Sequence, residues 1–149
     1  TRVVEAVADL EGGWVPSTPV VAVPAPPERL WHVLAALLAP PVSAWALHET
    51  AGTALAPDAL KLSAAQVRRV PAPVDHAAWD DGAAAAREAQ EAQARGAAGD
   101  RATALAALGA AMVAAHGLDG AEGDRLLAWW WARLPHDEAA RADNGPVGQ

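Results

Sequence analysis

Residues Lys61 to Arg69 read KLSAAQVRR and hold the only lysine of the chain and its one Arg-Arg pair, three positive charges with no acid among them. Ser63 and Gln66 in that run have the spacing of a capping box, in which serine caps a helix start and glutamine reaches back to the serine amide. Such a start exposes backbone amides at Ala64 to Gln66, and Lys61, Arg68 and Arg69 add charge around it. Together they suit a phosphate group. The competing reading leaves Arg68 and Arg69 solvated and pairs Lys61 with Asp58.

Other chemistry finds less support. The five histidines, at positions 32, 48, 76, 116 and 136, lack the i, i+4 spacing of a helical metal site, and there is no cysteine to join them, so no metal ligands are expected. His32 falls inside an apolar helix and reads as a core or rim side chain. Asp80 and Asp81 are adjacent, so on a helix they point about 100° apart and share neither a proton nor a metal ion easily. Asp119, Glu122 and Asp124 lack the alternating spacing of a calcium loop and read as a turn that caps the next helix. No glycine-rich phosphate loop follows a strand, and no Gly-x-Ser-x-Gly elbow occurs, so no catalytic residue is assigned.

The chain that carries these residues has 149 amino acids, 52% of them hydrophobic, enough for one core or for two small lobes sharing one. Eighteen acids outnumber 11 bases for a net charge of −7, which argues against a surface that hugs nucleic acid along its whole extent while permitting a local basic patch. The acid is concentrated in the second half. Thr1 to Asp75 carries five basic and seven acidic residues, and His76 to Gln149 six and eleven. The absence of cysteine makes a cytoplasmic location the default. A start at Thr1 with no charged leader or apolar signal core suggests a fragment, and the longest apolar run, Leu34 to Leu47, is broken by Pro40 and Pro41, so no membrane partner is expected.

Periodicity predicts an α+β fold. TRVVEAVAD alternates as a strand, LEGGW turns the chain, and WVPSTPVVAV continues extended to Val23, giving an antiparallel hairpin whose second strand is confined to an edge by Pro16 and Pro19. A helix then opens at Pro27 and Glu28, presents Leu30, Trp31, Leu34, Leu37 and Leu38, and stops at Pro40 and Pro41. A second runs from Val42 to about Thr50. A short helix starts at Ser63 and ends near Arg69 or Val70, before Pro71. The stretch from His76 to Asp100 is helix-prone, but its only large apolar residue is Trp79, so past Gly82 it reads as an exposed, alanine-faced rod. A further helix carries Leu105, Leu108 and Met112. The last, Ala121 to Leu134, carries Leu126, Leu127, Trp130, Trp131 and Leu134, with Trp129 as the outlier of the three tryptophans. The organisation expected is a specificity-like α+β region over 1–75, a helical region over 76–135 and a disordered tail over 136–149.

The order RVVEAVADLEGGWVPSTPVVAV, LWHVLAALLAPPVSAWALHETAGTALAPDALKLSAAQVRRVPAPVD, AAMVAAHGL and LLAWWWARLP resembles the C-terminal part of actinobacterial adenine-specific N-6 DNA methyltransferases of restriction-modification type, over about Arg2 to Pro135. The most specific elements are the helix break Ala39-Pro40-Pro41, the loop Gly52-Thr53, the cap Lys61-Leu62-Ser63 and the exit Val70-Pro71-Ala72-Pro73. The family has serine where this chain has Ala39. The resemblance implies a DNA-recognition end whose parent enzyme methylates the amino group of a flipped adenine with S-adenosylmethionine bound in an upstream catalytic domain. The family's Asn-Pro-Pro-Tyr signature is absent here, and DNGP near the end is no substitute, so this chain carries no cofactor of its own. Its DNA-contacting residues would be Arg68 and Arg69, then Lys61, Thr53 and Ser63, with base reading by the loop Gly52 to Asp58. The alternative is a helical protein-interaction module that binds no DNA.

Overall fold

Proline and alanine placement decide where the helices of this chain begin and how closely they pack. The computed structural model describes residues 3–50, 60 and 62–135. Pro27 opens a single 3₁₀ turn, Pro27–Arg29, that runs into α1, Leu30–Leu38. Ala39 leaves helical space at φ −57° and ψ 137°, as the residue before a proline tends to. Pro40 then begins α2, Pro40–Thr50, because its fixed φ suits a first helical position. The two helices are bent by 58° at this break. No single helix among the described residues is long and apolar enough to cross a membrane.

α3, Ala64–Val67, is one turn. α4, His76–Ala94, starts at Asp75, whose carboxylate accepts the Ala78 amide at 3.1 Å. Gly96 takes the left-handed conformation (φ 70°) that reverses the chain into α5, Ala98–Ala115. α6, Gly120–Trp131, follows another left-handed glycine, Gly117.

The alanine face of α4 is buried, not exposed. Ala83 and Ala92 are buried, and Ala85, Ala86 and Ala89 share one core with Ala104, Leu105, Leu108 and Met112 of α5, so the short Arg95–Ala97 connection closes a tight helical hairpin. The lack of large apolar residues that suggested exposure is what lets the two backbones approach. Gly82 takes this furthest, since a Cβ there would collide with the Met112 sulfur. α1 lies against α4, and α2 reaches α5 and α6, so Leu34, Val42, Leu108, Met112 and Trp130 belong to one core.

The expected α+β architecture does not form: all regular structure among the described residues is helical, with no strand. The turn of the expected hairpin is present. The Asp9 carboxylate accepts the amides of Trp14 (2.8 Å), Gly12 (2.9 Å), Glu11 and Gly13 (both 3.3 Å), and Gly12 sits at φ 67°. Its legs carry no regular structure and make no main-chain bond to each other. Pro16, Pro19 and Pro24 have no amide to donate, and the Val20 amide closes a local turn onto Ser17 O at 2.8 Å. The first leg bonds to the helices instead. The Gln90 side chain donates to Ala8 O and accepts from Ala8 N, both at 2.8 Å, standing in for a neighbouring strand, and Val4 N donates to Ser43 Oγ at 3.1 Å. Val3 is thereby buried in the core while Leu10, Trp14, Val15 and Val20 stay exposed.

Two smaller readings also change. Trp130 is the buried tryptophan and Trp131, not Trp129, is the outlier, because Trp129 packs on the core edge under the Arg133 guanidinium, 4.7 Å from its ring centroid. Asp119 occupies the position before α6, but its side chain makes no capping bond. The expected tail, 136–149, lies outside the described residues.

Candidate anion-binding site

α3 is held from both sides before its charges come into play. Ser63 Oγ accepts the Gln66 amide at 3.3 Å, and Gln66 Oε1 accepts both the Ser63 amide and the Ser63 hydroxyl at 2.9 Å, completing the capping box read from the sequence. Gln66 Nε2 also donates to Glu49 O, 3.5 Å away in the last turn of α2. Downstream, His116 at the end of α5 donates through Nδ1 to Met112 O at 2.7 Å, and its Nε2 lies 3.3 Å from Pro71 O. The Val74 and Asp75 amides both donate to Ala115 O, at 2.7 and 3.0 Å. The turn, too short to be stable by itself, is tied to the end of α2 through Gln66, and the segment that follows it, Pro71 to Asp75, is tied to the end of α5.

On this turn Arg68 and Arg69 differ. Arg68, at the C-cap of α3, is exposed, and its guanidinium has no hydrogen-bond or ion-pair partner among the described residues. Arg69 Nη1 lies 3.3 Å from Glu49 Oε2, with the arginine side chain 67% exposed and the glutamate 24%. Ser63 is committed to the cap, so its contribution is to hold the turn. Lys61, Thr53 and the loop Gly52 to Asp58 lie outside the described residues.

The sequence reading missed Glu49. Nothing in its spacing marks it, since it is 20 residues before Arg69 and joins the site only because α2 folds back on α3. It missed His116 for the same reason. The turn therefore offers one guanidinium without a partner among the described residues and a second in an ion pair, groups of the kind that bind anions.

A second polar cluster joins α1 to α4. His32 Nε2 bonds to Asp80 Oδ1 at 2.8 Å, and the Trp79 indole donates to His32 O at 2.9 Å, with the His32 and Trp79 rings edge to face at 5.5 Å. The His32–Asp80 pair has the composition of a catalytic dyad. No hydroxyl or thiol lies within hydrogen-bond reach of it among the described residues, and His32 Nδ1 is buried without a partner. The cluster joins α1 to α4 through these contacts.

No protein-family model, curated protein or solved structure matches the chain.

Proposed function

We propose that this chain is a DNA-recognition region of the kind found at the C-terminal end of site-specific adenine DNA methyltransferases. In this reading α3 grips the phosphate backbone, while an upstream catalytic domain with S-adenosylmethionine supplies the chemistry. The observation that supports it most is Arg68: a guanidinium with no partner among the described residues, on a turn tied to the end of α2, beside a second arginine held by one ion pair. Phosphate contacts of this sort position a protein on DNA and carry no sequence information themselves. Two contacts give weak binding, and the net charge of −7 weakens it further, so the isolated chain binds at low salt and relies on the rest of the enzyme at higher salt.

Fluorescence anisotropy with a short labelled duplex at low salt tests this. The double variant Arg68→Ala, Arg69→Ala should lose binding, whereas Arg87→Ala, an exposed arginine on α4, should keep it. Equal binding by all three proteins would end the proposal.

A second reading is favoured by the exposed arm. Val15 is 91% exposed, and Trp14 and Val20 are each 64% exposed, an apolar surface suited to a protein partner. That reading requires that Trp14→Ser and Val15→Ser abolish partner capture while the arginine variants leave it unchanged.

A further inference from the structure

Glu49 is an acid inside a basic patch. Its carboxylate faces the Arg69 guanidinium at 3.3 Å, and its main-chain carbonyl accepts from the Gln66 amide at 3.5 Å, so the residue that docks α3 onto α2 also neutralises one of the two arginines on α3. With its side chain only 24% exposed at the end of α2, Glu49 is far less free to move than Arg69, which is 67% exposed. Exposed ion pairs of this type are weak and screened by salt. A phosphate offers the same guanidinium a more highly charged acceptor with several oxygens in bidentate geometry.

Given the DNA contact proposed above, we propose that Glu49 is a built-in competitor for phosphate at Arg69. It holds the arginine until the backbone of a DNA duplex displaces it. In the free protein Arg68 makes the first contact while Arg69 is held in competition by Glu49. When phosphate arrives, Arg69 swings from Glu49 to the backbone, and the freed carboxylate stays beside the interface and disfavours tight non-specific attachment. The glutamate therefore lowers affinity for any DNA backbone, which is useful in a region whose partner enzyme must search for one site.

The test is a double-mutant cycle on the full chain, read by anisotropy with the same duplex across a salt series. Glu49→Gln keeps the shape and the main-chain bond to Gln66. It should tighten binding at every salt concentration while leaving the slope of log affinity against log salt near that of the wild type, since Arg69 meets phosphate in both complexes and only the competition from Glu49 is removed. The gain should vanish when Arg69→Ala is combined with it. Glu88→Gln, an exposed acid on α4, controls for net charge and should change little.

Wild-type binding that is unchanged or weakened by Glu49→Gln would overturn the inference and leave the DNA reading standing. A gain that survives in the Arg69→Ala background, or that Glu88→Gln reproduces, would also overturn it by reducing the effect to overall charge. If no form binds duplex at low salt, both fall.

Discussion

Gly82→Ala is the substitution whose sign depends most on the packing described here. Glycine inside a helix costs about 1 kcal/mol relative to alanine, so at an open position the change would stabilise α4 by that amount. Gly82 is not open: a Cβ there would collide with the sulfur of Met112, which is fully buried, and would reach to 3.8 Å from the Ala35 Cβ. Overpacking of this kind costs about 1–3 kcal/mol. The net expectation is a loss of about 1 kcal/mol, a fall of roughly 2–4 °C in Tm for a chain of this size. In a Met112→Ala background, itself costing about 2–5 kcal/mol, the collision is gone and the same change should stabilise by about 1 kcal/mol. Urea unfolding followed by tryptophan fluorescence would give all four corners of the cycle. A Gly82→Ala gain equal in both backgrounds would refute the claim that α4 and α5 meet through this glycine.

Three further outcomes follow from named contacts. The Asp9 carboxyl lies below its usual value of 3.8, first because of the Trp14 amide, against an opposing desolvation, and then through the amides of Gly13, Gly12 and Glu11. A lowered folded-state value means the turn is stabilised above about pH 4 and released as pH falls through the lower value. NMR shifts of the Gly12 and Trp14 amides should follow that titration in the wild type and lose it in Asp9→Asn. Gln90→Ala removes both bonds to Ala8, each worth about 0.5–1.5 kcal/mol, so amide exchange at Ala8 should accelerate while α5 amides keep their protection. Unchanged exchange would mean that Gln90 does not hold the arm. Trp130 is 1% exposed and its indole N–H is buried without a partner. Trp130→Phe deletes that unpaired donor and should cost far less than Trp130→Ala, for which about 3–5 kcal/mol is expected, as thermal unfolding of the two variants would show.

The parts of this fold that local chemistry determines were legible in the sequence. The capping box at Ser63 and Gln66, the break before Pro40 and the Leu105, Leu108, Met112 stripe each depend on residues within a turn or two of one another. Longer-range features were not. Alternation in TRVVEAVAD predicted a strand, but a sheet needs a second chain segment with free amides, and the prolines of the second leg withhold them, so residues 3–9 form none. The Gln90 side chain fills that role from 82 residues away. Alanine was misread in α4 because low hydrophobicity per residue was taken for exposure, whereas small size favours close helix contact. At the candidate site the arginines were visible and their difference was not, since only the folding of α2 onto α3 sets Glu49 against Arg69 and leaves Arg68 free.

The central claim is that α3 meets the DNA backbone through one or two arginines. The most direct measurement is the salt dependence of duplex binding by the unmodified chain. The account predicts saturable binding at low salt that weakens as salt rises, with a log–log slope between about −0.9 and −1.8, the range for one to two phosphate contacts. Binding that is absent at low salt, or that does not change with salt, would contradict it and leave the exposed arm as the functional surface.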